Sequence, residues 1–218
     1  MKSRMMALLG LASLLLTGCV TTTPYDYTAF RESNPRSILV LPPVNASLDT
    51  TASYSFLTHV SMPLAEGGYY VFPVAVVEET FRENGMTNPD EIHALPLEQL
   101  NKVFGADSVM YISIKQYGTS YQLLASDTRV TAEASLVDAR TGELLWKGQA
   151  TASSTEQSNN NHGGGLLGVL VVALVEQVIN SSTDRSYQIA GMTSTRLLST
   201  NAVNGVLPGP RSPLHQRQ

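Results

Sequence analysis

The chain has 218 residues, of which 43% are hydrophobic and 15% are charged, which is typical of one globular domain with short additional segments. Its formal net charge of −4 at pH 7 and the lack of any block of basic residues argue against nucleic-acid binding. Because there is a single cysteine, the chain has neither an internal disulfide nor a cysteine cluster for a metal ion.

The amino terminus has the layout of a bacterial export signal. Lys2 and Arg4 precede an apolar run at 5–16, which is shorter than the roughly 20 residues that a membrane-spanning helix needs. The next residues resemble the lipobox of bacterial lipoproteins. This resemblance implies that residues 1–18 are removed as a signal peptide and that Cys19 carries a covalent lipid. The positions that the signal peptidase would recognise are Leu16, Thr17 and Gly18.

Residues 19–35 are predicted to form a lipidated tether that is rich in threonine. The aromatic residues Tyr25, Tyr27 and Phe30 suggest that its far end docks on the domain. Val20 occupies the position at which enterobacterial-type lipoproteins of the inner membrane carry Asp. The resemblance therefore implies an outer-membrane protein whose domain faces the periplasm, with exposure at the cell surface left open.

Residues 36–200 are predicted to form one α/β domain. Short apolar runs at 37–41 and 69–72, each beside a turn signal, predict two buried strands in its first half. In its second half the pattern changes to strict alternation. The alternating stretches, 110–115, 129–136 and 144–151, predict an antiparallel meander with one buried and one wet face. The sum is a mixed sheet of about five strands with helices packed on it.

Helices are predicted between these strands, because apolar residues recur at helical spacing. The first has Phe56, Leu57, Val60 and Leu64 on one face, and Pro63 should kink or end it. The later helical faces are Val74, Val77 and Phe81, then Leu97, Leu100 and Phe104. Asn88 and Pro89 form a typical capped start for a further helix. A last helix is predicted at 187–198.

The stretch 153–165 is predicted to be a flexible loop rich in Ser, Asn and Gly, and 201–218 a disordered tail rich in proline. Between them, residues 166–179 are apolar on nearly every side. Such a segment forms a buried core helix, a self-association surface or a membrane-inserting helix, and burial is the most usual outcome. Homo-oligomer formation would use Leu166, Leu170 and Leu174.

The sequence has no recognisable catalytic or metal-binding pattern. The loop at 162–165 has the His-Gly-Gly-Gly sequence of an esterase oxyanion loop, but the chain has no Gly-x-Ser-x-Gly pentapeptide to supply a nucleophile. Glu78 and Glu79 point in different directions on a helix and are predicted to be solvated. The histidines, His59, His93, His162 and His215, are far apart in sequence. We therefore expect no enzyme activity, no metal and no cofactor other than the lipid on Cys19.

Two motifs carry a family resemblance. Residues 104–111 read Gly-Ala-Asp before an apolar strand, and residues 136–146 read Leu-Val-Asp, then Thr-Gly-Glu, then a second apolar strand. This pattern resembles envelope lipoprotein domains that include the TolB amino-terminal domain, CsgG and the lipoprotein activators of penicillin-binding proteins. With support from residues 69–73 and 184–187, it is similar to a family of bacterial lipoproteins catalogued among meningococcal surface antigens. The resemblance covers about residues 36–200.

The lipobox, the α/β domain and the missing catalytic pattern favour a non-enzymatic interaction or assembly component of an envelope or transport system, with envelope proteins as partners. The resemblance implies two alternatives. The alternatives are a CsgG-like oligomeric secretion component and an activator of a periplasmic cell-wall enzyme. CsgG-type proteins insert long alternating hairpins into the outer membrane. Here the corresponding face is polar, which departs from that pattern; it would carry Arg129, Glu133, Lys147 and Gln149.

Overall fold

The structure, a computed structural model, describes residues 25–121, 126–159, 185–200 and 202–215. The strands among these residues are β1 (Ser37–Val40), β2 (Val44–Asn45), β3 (Tyr70–Val71), β4 (Ser108–Tyr121), β5 (Ser126–Asp138) and β6 (Leu144–Ser153). The helices are α1 (Thr28–Ser33), α2 (Ala52–Leu57), α3 (Ser61–Glu66), α4 (Val74–Glu83), α5 (Pro89–His93), α6 (Leu97–Phe104), α7 (Ser154–Asn159) and α8 (Arg185–Leu198).

The strands form one mixed sheet in the order β3-β1-β4-β5-β6, and β2 pairs with the middle of β4. Strand β1 runs parallel to both β3 and β4, and β2 also runs parallel to β4, whereas β5 is antiparallel to both β4 and β6. The predicted mixed α/β sheet with its antiparallel hairpin is confirmed, and β2 is an additional strand. A bulge between Ile114 and Gln116 shifts the long β4–β5 pairing by one residue.

Helices pack on both faces of the sheet, but they cover the two faces unequally. On the first face, α1, α2, α3 and α8 enclose a core that includes Phe56, Ile112, Trp146 and Ile189. On the second face, α4, α5 and α6 cover β1 and the start of β4. Leu39 and Val109 are buried there under Phe81 and Leu100. The second face of β5 and β6 therefore has no helix among the described residues.

The helix predicted to bend at Pro63 is divided into α2 and α3, and the break falls at residues 58–60. Proline has no N–H group, so it is tolerated in the first turn of a helix, where Pro63 lies. The carbonyl of His59, four residues before the proline, instead accepts a 3.0 Å hydrogen bond from the hydroxyl of Ser194. The break thereby joins α8 to the first half of the domain.

The predicted start of α5, end of α6 and position of α8 are confirmed. The side chain of Asn88 accepts a 3.0 Å hydrogen bond from the backbone N–H of Asp90, which caps α5. Gly105 ends α6 with a φ of 66°, a left-handed conformation that favours glycine. The predicted helix at 187–198 is confirmed as α8, which begins two residues earlier at Arg185.

The predicted loop at 153–165 begins with the short helix α7 instead. Ser153 and Glu156 form a capping box: the Ser153 hydroxyl accepts from the N–H of Thr155, and a Glu156 carboxylate oxygen accepts from the N–H of Ser153. The remainder of that loop and the apolar stretch 166–179 lie outside the described residues. In the part of the chain that the structure describes, no helix has the length and apolar character needed to cross a bilayer.

The prediction of a disordered tail at 201–218 is wrong for residues 202–215, which pack on the domain. Val206 is 1% exposed, and the carbonyl of Asn204 accepts a 2.9 Å hydrogen bond from the indole Nε1 of Trp146. The carbonyl of Leu207 accepts from the hydroxyl of Tyr69 at 2.5 Å. Buried polar groups of the core thus depend on this C-terminal segment for their partners.

The end of the tether also docks on the domain, as its aromatic residues predicted. Phe30 is 3% exposed within the first core. The hydroxyl of Tyr27 donates to the carbonyl of Gly205 at 2.5 Å, and the hydroxyl of Tyr25 accepts from the backbone N–H of Lys147 at 3.1 Å. Residues 25–35, which were assigned to the tether, therefore belong to the folded domain.

Candidate interaction site on the open sheet face

The two acidic residues of the recognised motifs hold the start of the domain in place. A carboxylate oxygen of Asp107 accepts from the backbone N–H groups of Arg36 and Ser37, at 3.0 and 3.2 Å. Asp138 accepts from the Ser33 hydroxyl at 2.6 Å and from the N–H of Arg140 at 2.8 Å. The two acidic residues therefore have a structural role.

The candidate site is the second face of β4, β5 and β6, here called the open sheet face. Two rows of aligned residues cross it. The first row is Tyr111, Ser135 and Lys147, and the second is Ser113, Glu133 and Gln149. Strand alternation produces this face, because the intervening residues Ile112, Ala134 and Leu136 point into the first core. The polar face that the alternation predicted through Glu133, Lys147 and Gln149 is confirmed.

A groove of about 510 Å³ follows the two rows. The residues that line it are His93, Tyr111, Ile112, Ser113, Glu133, Ala134, Ser135, Lys147, Gly148 and Gln149. The carboxylate of Glu133 also pairs with Lys115, whose ammonium lies 3.0 Å from one of its oxygens. Both side chains are nearly half exposed, so this ion pair contributes little to stability. Lys147 and Gln149 are exposed and available to a partner.

His93 forms one wall of the groove. Its Nε2 lies 2.9 Å from the carbonyl oxygen of Pro42, which can only accept, so the ring carries its proton on Nε2. Burial lowers the pKa of His93 and outweighs the opposing effect of that hydrogen bond. The ring also packs edge-to-face on Tyr111, at 5.3 Å between centroids, and burial raises the pKa of Tyr111. Both rings are therefore neutral at pH 7.

The groove offers hydroxyl, amide, aromatic and charged groups on rigid strands. Among the described residues there is no group of three or more His, Cys, Asp or Glu side chains that could hold a metal ion. These groups are suited to recognition by hydrogen bonds and packing.

The residues singled out in the sequence fall in several places. Leu16, Thr17, Gly18 and Cys19 lie outside the described residues, as do His162, Leu166, Leu170 and Leu174. His59 packs against Tyr187 at 4.3 Å between ring centroids, and Nδ1 of His215 is 2.9 Å from the carbonyl oxygen of Pro208. Glu79 pairs with Arg82 at 2.5 Å, so the two neighbouring glutamates have different surroundings.

The groove residues that the sequence did not assign to a site are His93, Tyr111, Ser113 and Ser135. Tyr111 and Ser113 stand at the polar positions of a predicted alternating strand, so the pattern already placed them on one face. His93 has no such signal, because its contact with Tyr111 depends on how α5 packs beside β4.

The fold and its motifs define an α/β domain of the lipoprotein class, and the comparisons with known proteins agree. A family model described as "Putative lipoprotein GNA1162-like" matches residues 25–211. The match begins where the docked tether begins and extends into the C-terminal segment. This chain belongs to the GNA1162-like lipoprotein family, the meningococcal family that the motifs indicated.

Two relatives from Neisseria meningitidis support this assignment. "Putative lipoprotein NMB1124/NMB1162" of serogroup B is 51% identical over 207 residues, which cover 94% of this chain and 95% of that protein. The crystal structure of lipoprotein GNA1162 is 52% identical, with a TM-score of 0.53, and covers 67% of this chain and 99% of that one. The LpoB C-terminal domain from Salmonella enterica is more distant. It has 18% identity and a TM-score of 0.36, and covers 55% of this chain and 84% of that one.

Proposed function

We propose that this lipoprotein is a non-enzymatic component of the bacterial envelope, held to the outer membrane through Cys19, and that it binds a protein partner through the open sheet face. The observation that supports the proposal most directly is the unequal covering of the sheet. Helices α4, α5 and α6 cover the parallel strands of the second face, while β5 and β6 present polar side chains to solvent.

The chemistry of the face suits a protein partner. Protein interfaces are enriched in aromatic residues, and they form about one hydrogen bond per 100–200 Å² of buried area. Tyr111 supplies a ring that His93 holds in place, and Ser135, Gln149 and Lys147 supply donors and acceptors around it. Because strands carry these groups, their backbone positions are fixed before a partner binds.

The anchor is the second part of the proposal. Membership of a lipoprotein family and the sequence at residues 16–19 support lipid attachment at Cys19, and Val20 supports sorting to the outer membrane. Two or three acyl chains, at about 0.8 kcal/mol per buried CH₂ group, hold a domain to a membrane essentially permanently. Five residues separate Cys19 from the docked Tyr25, a span of about 22 Å at most. The partner must therefore reach the domain close to the bilayer.

The anchor is tested with Cys19→Ser in cells that are labelled with a radioactive fatty acid and then fractionated. The wild-type protein is expected to be labelled and to sediment with outer membranes. The variant should lose the label and appear as a soluble or unprocessed form. Equal labelling of the two proteins would show that Cys19 is not the site of lipid attachment.

The partner surface is tested by crosslinking and affinity capture from intact cells. Gln149→Arg places a bulky side chain on the open sheet face, and Gln188→Arg makes the same change at an exposed position of α8, the helix that covers the opposite face. The proposal predicts one reproducible envelope partner that Gln149→Arg reduces at least tenfold and Gln188→Arg retains. If both variants retained the captured partner equally, the open sheet face would not be the binding surface. A ring of identical subunits would favour the CsgG-like alternative instead.

A further inference from the structure

A second concave feature lies at the carboxyl ends of β1 and β3. These adjacent strands are parallel, but the chain leaves them on opposite faces of the sheet: β1 leads through β2 to α2, and β3 leads to α4. Where neighbouring connections diverge in this way, a crevice opens outside the strand ends, and open α/β sheets bind ligands in such crevices. This crevice is distinct from the groove on the open sheet face.

The crevice has a volume of about 390 Å³, within the approximate range of 300–1,000 Å³ for sites that hold small molecules. Buried Leu57 and Ile92, 5% and 2% exposed, contribute to an apolar floor together with Pro42 and Pro43. The carbonyls of these prolines are already satisfied, by His93 Nε2 and by the Ser53 hydroxyl, each at 2.9 Å. The floor therefore favours an apolar group over a polar one.

The lining side chains give the crevice a negative character. Glu78 and Asp90 line it, and the ring of Tyr54, which is 64% exposed, stands at its edge. Arg82 is the basic residue among the lining side chains, and its guanidinium is bound to Glu79 at 2.5 Å. The lining therefore carries two carboxylates, those of Glu78 and Asp90, against one guanidinium that already has Glu79 as a partner, which leaves the crevice with a net negative charge.

We propose that this crevice binds a small amphipathic amine, with its apolar body on the floor of Leu57 and Ile92 and its ammonium group beside Glu78 and Asp90. An ammonium group is attracted by carboxylates and by the face of an aromatic ring, which Tyr54 provides. The two features, an apolar floor and an acidic rim, select against neutral and anionic molecules of the same shape. The proposal is independent of the partner that binds the open sheet face.

The test uses three probes with one apolar body and different charges: 4-phenylbutylamine, 4-phenylbutanol and 4-phenylbutyrate. Each is titrated into the mature chain with Cys19→Ser while two-dimensional NMR spectra follow the backbone amides. The amine is expected to shift signals from residues around Leu57 and Ile92 and to bind at least about fivefold more tightly than the alcohol. The carboxylate is expected to bind more weakly than the alcohol.

Matched variants assign the charge selectivity. Glu78→Gln should weaken amine binding about threefold or more and leave alcohol binding unchanged, whereas Glu83→Gln, on the exposed side of α4, should change neither. Thermal melting of both variants verifies that they are folded. The proposal would be overturned if the three probes bound with equal affinity or if the signal shifts were confined to another surface. It would also be overturned if a folded Glu78→Gln variant bound the amine as tightly as the wild type.

Discussion

The hydroxyl of Ser33 donates a 2.6 Å hydrogen bond to Oδ2 of Asp138, although the two residues are 105 positions apart. This bond joins the docked end of the tether to the turn between β5 and β6. Burial opposes ionisation of Asp138, but hydrogen bonds from Ser33, Arg140 and Thr141 outweigh it. They hold the pKa of this carboxyl group well below its ordinary value.

The first prediction concerns pH. Because the pKa of Asp138 is lowered in the folded state, its ionised form stabilises the fold above the unfolded pKa of about 3.9, and that contribution is lost as pH falls below it. Asp138→Asn should destabilise the domain by about 2–3 kcal/mol at pH 7 and reduce the loss of stability between pH 5 and 2. Urea unfolding at several pH values measures both effects. Glu83→Gln, on the exposed side of α4, is the control, and an equally steep acid dependence in Asp138→Asn would contradict the assignment.

The second prediction concerns the C-terminal segment. Removing residues 202–218 exposes the site of Val206 and leaves Trp146 Nε1 and the Tyr69 hydroxyl without their partners. The expected loss is at least about 3 kcal/mol, from one buried aliphatic side chain and two unpaired polar groups. Circular dichroism melting should show a large decrease in Tm. Removing only residues 216–218 is the matched control and should leave Tm unchanged; a similar Tm for both truncations would show that the segment is not integral.

The third prediction concerns Gly148, which stands in the floor of the groove. A Cβ atom at this position would lie 2.4 Å from Cζ2 of Trp146, whose ring is 1% exposed. The indole cannot move freely, because its Nε1 donates to Asn204. Gly148→Ala should therefore cost about 1–3 kcal/mol through overpacking. Tryptophan fluorescence during unfolding reports the loss, and Ser113→Ala, on the open sheet face, serves as control. Wild-type stability in Gly148→Ala would mean that the packing around Trp146 is looser than described.

The agreement between sequence and structure depends on whether a feature is encoded locally. Alternation at 129–136 and 144–151 was sufficient to predict both the strands and their polar face, since a strand exposes every second residue. Asn88 and Gly105 marked helix ends through their own backbone chemistry. These features require no knowledge of distant contacts.

Other features depend on tertiary contacts and could not be predicted. The proline-rich residues 202–215 have the composition of a tail, but the indole of Trp146 and the hydroxyl of Tyr69 fix them in place. The two-residue strand β2 is too short to show a periodicity. The groove wall at His93 and the crevice between α2 and α4 follow from the strand order, which no local pattern reveals.

The most direct test of the central claim is site-specific photocrosslinking in intact cells. A photoreactive phenylalanine derivative at Gln149 probes the open sheet face, and the same residue at Gln188 probes the opposite face. The proposed function predicts a discrete crosslinked product with an envelope protein from position 149 and none from position 188. A product from position 188 alone, or none from position 149 at natural protein abundance, would contradict it.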